Sequence, residues 1–120
     1  MKVLVDTNFF LLPNQFGVDI FDELKLYDMF TLSACMEELK KISTKKGKDG
    51  TAAKIGLKLI GMNDVDIVRV KGRNCDKAIL DYASRENCIV ATNDKELIKA
   101  LKSRGVKIIR LKQKKFLSEE

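Results

Sequence analysis

The chain has 120 residues, 45% of them apolar, and carries 23 Lys and Arg against 17 Asp and Glu, with an isoelectric point near 9.3. That length suits one domain with its own core, and the basic balance suits either a polyanionic partner or a solvated lysine-rich surface. Histidine is absent, which excludes zinc hydrolysis on imidazoles and both Ser-His-Asp and Cys-His catalysis. No apolar run reaches the roughly 18 residues of a membrane span. A strand that starts at Lys2 leaves no room for a signal peptide, so a soluble cytoplasmic protein is expected. Cys35, Cys75 and Cys88 are odd in number and far apart, and are expected to be reduced thiols packed as small apolar residues.

In chain order, Lys2 to Asp6 reads as a strand, and Asn8 to Phe16, with the single proline Pro13, as a loop or a short helical turn. Ile20, Phe21, Leu24 and Tyr27 recur at helical spacing and predict a helix over 19–27. Met29 to Leu32 is a second strand. Ser33 is the expected N-cap of a helix with Cys35, Leu39 and Ile42 on one face. Lys45 to Gly50 is expected to be a mobile surface loop, with Thr51 capping a helix whose apolar face is Ala52, Ile55, Leu59 and Met62. A third strand follows over 66–70, and Lys71 to Asn74 forms a turn. Cys75 or Asp76 then opens a helix that turns Ile79, Leu80 and Ala83 inward. Cys88 to Thr92 is a fourth strand, and Asn93 or Asp94 caps the helix burying Leu97, Ile98 and Leu101. Gly105 ends that helix, and Val106 to Leu111 is a fifth strand. Residues 112–120 are expected to fray as a basic, polar tail, leaving a domain of residues 1–111. Alternating strands and helices predict an α/β fold with a mostly parallel sheet.

The most informative residues are acids. Asp6 ends the apolar run Val3-Leu4-Val5, and Asp94 follows Ile89-Val90-Ala91-Thr92-Asn93. Glu38 lies on the helix after the second strand, and Asp76 heads the helix after the third. Right-handed parallel connections bring all four junctions to one edge of the sheet, where open α/β folds build their sites. Bare carboxylates so gathered repel one another and raise one another's pKa. A divalent cation turns that repulsion into binding, and Mg²⁺ or Mn²⁺ suits an all-oxygen set. Each acid also has a plain reading: Asp94 and Asp76 as helix caps, and Glu38 as a solvated helix residue with Glu37 as competitor. Asp6 is hardest to dismiss, because an acid after a buried strand must find a partner.

Val-Leu-Val-Asp-Thr-Asn at 3–8 is similar to the opening motif of PIN-domain nucleases, and Cys-Met-Glu-Glu-Leu-Lys at 35–40 resembles their acid-bearing helix. Cys-Asp-Lys-Ala-Ile-Leu at 75–80 and Val-Ala-Thr-Asn-Asp-Lys-Glu-Leu at 90–97 resemble the third and fourth motifs. The order and spacing hold over residues 2–111. The stretch from Phe9 to Leu24 resembles small archaeal VapC-like proteins related to the small-subunit processome nuclease. The resemblance implies a three-layer fold with a five-stranded sheet of order 3-2-1-4-5, and endoribonuclease activity with one or two Mg²⁺ or Mn²⁺ ions. By motif position it implies Asp6, Glu38, Asp76 and Asp94 as catalytic acids. Asp6, Asp76 and Asp94 would be the chief metal ligands, with Asn8, Thr92 and Glu96 as supporting groups. Two departures stand out: Lys77 follows Asp76 where a second Asp is common, and Glu96 stands where an Asp is frequent.

Lys45, Lys46, Lys48, Lys112, Lys114 and Lys115 are the candidates to track an RNA backbone, since phosphate contacts position without specifying sequence. The resemblance implies RNA as substrate, a homodimer, and either an antitoxin or a pre-ribosomal particle as partner. A non-catalytic RNA-binding PIN scaffold is the first rival. A haloacid-dehalogenase-like phosphatase is the second, and it needs an Asp two residues after the nucleophile, where this chain has Asn8.

Overall fold

A computed structural model describes all residues, 1–120. Strand β1 (Lys2–Val5) lies at the middle of a single sheet and pairs in parallel with β2 (Asp28–Leu32) on one side and β4 (Ile89–Ala91) on the other. Beyond them lie β3 (Asp66–Val68), β5 (Ile108–Lys112) and β6 (Phe116–Glu119), in the order β3-β2-β1-β4-β5-β6. The first five strands are parallel, in the expected order. The sixth is antiparallel to β5, so residues expected to fray as a tail form an edge strand. A turn at Gln113 and Lys114, both at positive φ, reverses the chain. Leu117 then pairs with Leu111 across the hairpin, and the Glu120 carboxylate reaches Lys102 at 2.9 Å and Lys112 at 3.0 Å. Those lysines hold its pKa down to about 2.

The helices are α1 (Leu12–Phe16), α2 (Ile20–Glu23), α3 (Ser33–Ser43), α4 (Lys48–Met62), α5 (Cys75–Arg85) and α6 (Lys95–Ser103). None is long and apolar enough to cross a membrane. Side-chain alternation on β1 divides the core: Val3 and Val5 face a cluster with Phe9, Phe10, Leu39 and Ala53, whereas Leu4 faces Cys75, Ile79, Leu97 and Leu101. Both faces of the central strand are covered, which is why it is apolar without alternation.

Several local expectations change. A 3-10 turn over Thr7–Leu11 leads directly into α1, and the helix expected over 19–27 shrinks to Ile20–Glu23. Ser33 does not cap α3; its hydroxyl accepts from Val70 N–H at 2.9 Å and donates to the Val70 carbonyl, tying down the chain after β3. Thr51 lies inside α4, which starts earlier, at Lys48, after Gly47 at φ 92°. The supposed loop over 45–50 is therefore a tight corner, and a Cβ on Gly50 would collide with the Lys45 carbonyl.

The buried stripe of α4 is Ala52, Ala53, Gly56 and Ile60, while Ile55 is partly exposed and Met62 is 71% exposed. Small residues won because the helix lies directly on the 3-10 turn: a Cβ on Gly56 would stand 2.5 Å from the Phe10 carbonyl oxygen. Gly56→Ala is expected to lower stability by about 1–3 kcal/mol. Gly61→Ala, where nothing lies within 4 Å, is expected to be neutral or to raise stability by up to about 1 kcal/mol. Urea unfolding midpoints of the two variants check the pair, and equal midpoints would refute the packing account.

Candidate functional site

Asp6 directly follows β1, and its backbone N–H donates to the Ala91 carbonyl at 3.0 Å. This extra ladder bond carries the sheet one residue further and sets the carboxylate between β1 and β4 at the carboxyl edge. Asp6 is 2% exposed. Its Oδ2 accepts from the Thr92 hydroxyl at 2.8 Å. The Thr92 oxygen in turn accepts from the Asp94 N–H at 3.1 Å, so one buried threonine orients Asp6 and anchors the loop that carries Asp94. Burial pushes the Asp6 pKa up to about 7, helped by the negative charges of Asp76 and Glu38 and opposed by hydrogen bonds from Thr92 and the Thr7 backbone.

The other acids arrive from three separate connections. Glu38 is half-buried on α3 whereas Glu37 is exposed. Burial and then Asp76 raise the Glu38 pKa, with Lys41 opposing. Asp76, in the first turn of α5, is exposed, and its pKa is raised by partial desolvation and then by the charge and hydrogen bonding of Asp94. Asp94 caps α6, its Oδ1 accepting from the Glu96 and Leu97 N–H groups at 3.0 and 3.1 Å. Its cap role leaves Oδ2 for another partner, so the capping and ligand readings are compatible. Asp76 does not cap α5; Asn74 does, accepting from Lys77 N–H at 3.0 Å.

Asp76 and Glu38 act on Asp6, Asp76 also acts on Glu38, and Asp94 acts on Asp76, so the four acids neighbour one another along one edge. Such a donor set is all oxygen, partly desolvated, and short of cationic partners, which fits a hard divalent cation. Among the supporting candidates, Thr92 has a defined structural role. Asn8 is exposed on the 3-10 turn, and Glu96 is exposed on the first turn of α6.

The lysines divide. Lys45, Lys46 and Lys48 are exposed around the corner between α3 and α4. Lys115 is also exposed. Lys112, however, is paired with Glu120, and the Lys114 ammonium sits 5.6 Å above the Phe16 ring.

Three features escaped the sequence reading. Asn93 Oδ1 accepts from Leu111 N–H at 2.8 Å, joining the Asp94 loop to β5. Thr7 donates to the Cys35 carbonyl at 3.1 Å. Most consequentially, Cys35 and Cys75 are joined in a disulfide and only Cys88 is free, which corrects the expectation of three thiols. A separation of 40 residues gave no local signal of that pairing.

A mostly parallel sheet of this order, with a buried acid directly after its central strand, has the architecture of a PIN-type fold. The chain belongs to the PIN like domain family, matching it over residues 3–114. It is 33% identical over 124 aligned positions to Ribonuclease VapC4 of Methanocaldococcus jannaschii, covering 96% of this chain and 93% of that protein. It is 31% identical over 116 positions to Ribonuclease VapC9 of Archaeoglobus fulgidus, covering 93% and 84%.

The raised Asp6 pKa has a consequence for the metal-free protein. Unfolded Asp6 ionises near 3.8 and folded Asp6 near 7, so its stabilising protonation is complete below pH 3.8 and is lost as pH rises through 7. In EDTA at pH 8, Asp6→Asn is expected to be more stable than wild type by roughly 1–4 kcal/mol, at about 1.4 kcal/mol per pKa unit. The gap should close toward pH 4. Urea midpoints of both proteins across this range check it, and parallel profiles would rule the account out.

Proposed function

We propose that this protein is a divalent-metal-dependent endoribonuclease of the VapC kind, using Mg²⁺ or Mn²⁺ in one or two sites. The observation that carries the reading is that Asp6, buried after β1, has Glu38 and Asp76 from two other connections acting on it, with Asp94 from a third acting on Asp76. Family membership and the two ribonuclease relatives support the reaction class. Asp6, Asp76 and Asp94 are the residues to hold the cation, with Glu38 beside them. When bound, the cation lowers the pKa of a coordinated water and stabilises charge on the phosphodiester.

The chain's own contribution is placement. Thr92 holds the Asp6 carboxylate in one orientation and ties it to the Asp94 loop, so two ligands keep their spacing. Asp94 is fixed by its bonds to the first turn of α6. Glu38, with its pKa raised, is suited to hold or accept a proton at its carboxylate at the edge of the cluster. The α3–α4 corner, with Lys45, Lys46 and Lys48, and the exposed Lys115 offer phosphate contacts that orient RNA without reading bases. Lys112 and Lys114 must first leave Glu120 and Phe16. Residues 112–120 belong with the nuclease domain in this reading, because β6 completes its sheet. An antitoxin that masks the acidic edge, and a homodimer, are the assemblies a VapC-type role entails.

Cleavage of labelled single-stranded and structured RNAs tests the proposal. Wild type should cut with Mn²⁺ or Mg²⁺ and not in EDTA, and Asp6→Asn should lose at least about a hundredfold in rate. Cutting that survives this substitution in clean protein would refute it, whereas RNA binding without cutting in any metal would favour a scaffold. Thr92→Val is expected to weaken Mn²⁺ binding about 10- to 100-fold while leaving the fold intact. Titration calorimetry reads that effect, and unchanged affinity would remove Thr92 from its positioning role.

A further inference from the structure

We propose that Cys35 and Cys75 form a redox site beneath the acid cluster, and that their thiol or disulfide state sets how tightly the cluster holds a divalent cation. The inference rests on reading the acids as a cation site.

Cys75 is the first residue of α5 and immediately precedes Asp76; Cys35 lies in the first turn of α3, three residues before Glu38. The bridge therefore joins the starts of the two helices that deliver two of the four acids, with Cα atoms 4.9 Å apart, inside the usual range of about 4.4–6.8 Å. The site also touches the other half of the cluster. One Asp6 carboxylate oxygen and both sulfurs lie within 4.8 Å of one another, and Cys75 Sγ is 3.5 Å from Asp6 Oδ1. Thr7, the residue after Asp6, donates to the Cys35 carbonyl. No other covalent constraint reaches the carboxyl edge.

Reduction changes that edge in two ways. Unbonded sulfurs must part to van der Waals contact, so the helix starts separate or the side chains rotate, and ligand constellations tolerate only about 0.5 Å of such movement. Reduction also places S–H groups beside Asp6, where a thiol proton can bond the carboxylate that the cation needs. The oxidised pair has neither effect.

Exchange with a low-molecular-weight disulfide balances the chemistry. One cysteine thiolate attacks a sulfur of the oxidant and displaces one thiolate. The second cysteine thiolate then attacks the mixed disulfide and displaces the other. One S–S bond breaks in the oxidant and one forms in the protein; two electrons leave the protein sulfurs, and their two protons end on the two released thiols. Cys35 and Cys75 are 1% and 2% exposed, so exchange requires local opening of the α5 start, and either state persists once formed.

The test uses the whole protein, equilibrated with glutathione disulfide or with dithiothreitol and then freed of reagent. Alkylation in denaturant followed by mass measurement is expected to find one reactive thiol, Cys88, in the oxidised form and three in the reduced form. Mn²⁺ binding, followed by electron paramagnetic resonance on the folded protein, is expected to be about tenfold weaker in the reduced form. Cys35→Ser should match the reduced form. If that variant does not fold, the two forms of wild type still decide. Three reactive thiols after glutathione disulfide, or equal Mn²⁺ affinity in the two forms, would overturn the proposal. One reactive thiol with no Mn²⁺ binding by either form would instead overturn the cation reading of the acids, and this inference with it.

Discussion

Everything at the functional edge depends on one buried carboxylate. Asp6 directly follows the central strand of the sheet, in a position that almost no solvent reaches. An ionised group there is unfavourable unless something compensates. Thr92 supplies part of that compensation with a single hydroxyl, from the end of the adjacent parallel strand. The remaining deficit makes the neighbourhood selective for a cation. Asp76 and Glu38 deepen the deficit rather than relieve it, so the cluster is poorly suited to be empty and well suited to bind a small divalent ion.

The surroundings are built to bring backbones close enough for that cluster to exist. Gly56 lets α4 rest on the carbonyl of Phe10, in the turn that follows Asp6. Gly50 lets the chain fold tightly after α3. Between them they seat the α3–α4 pair against the 3-10 turn, with α3 carrying Glu38 beside the site. The disulfide between Cys35 and Cys75 then links α3 to α5 across the same edge. Small residues and a covalent link perform here what large apolar side chains perform in the rest of the core.

Charge of both signs lies on α3, where Lys41 opposes the rise in the Glu38 pKa. Asp6 is buried at the carboxyl edge, whereas Glu38 and Asp94 are half-buried and Asp76 is exposed. Lys45, Lys46 and Lys48 are exposed at the α3–α4 corner. The lysines of the β5–β6 hairpin are held differently: Glu120 engages Lys112, and Phe16 lies under Lys114. That hairpin therefore reads first as a cap on the sheet edge, protecting β5 from an open ladder.

The sequence by itself determined an alternation of strands and helices with a mostly parallel sheet, and it placed Asp6 and Asp94 just after two apolar strands; the strand order came from the family resemblance. Apolar runs ending in Asp6 and Asp94, and strand–helix alternation, are local signals that right-handed connectivity converts into one edge. It did not determine which small residues would form the buried stripe of α4, because periodicity counts apolar residues and not how near a backbone approaches. It missed the sixth strand, since Phe116 and Leu117 among lysines and glutamates carry too weak a pattern until β5 offers a ladder. It also left Glu37 against Glu38 open; of the two, only Glu38 is half-buried on α3. Tertiary structure alone paired Cys35 with Cys75 and set Thr92 between two acids. These are contacts between residues tens of positions apart, and only the folded chain brings them within bonding distance.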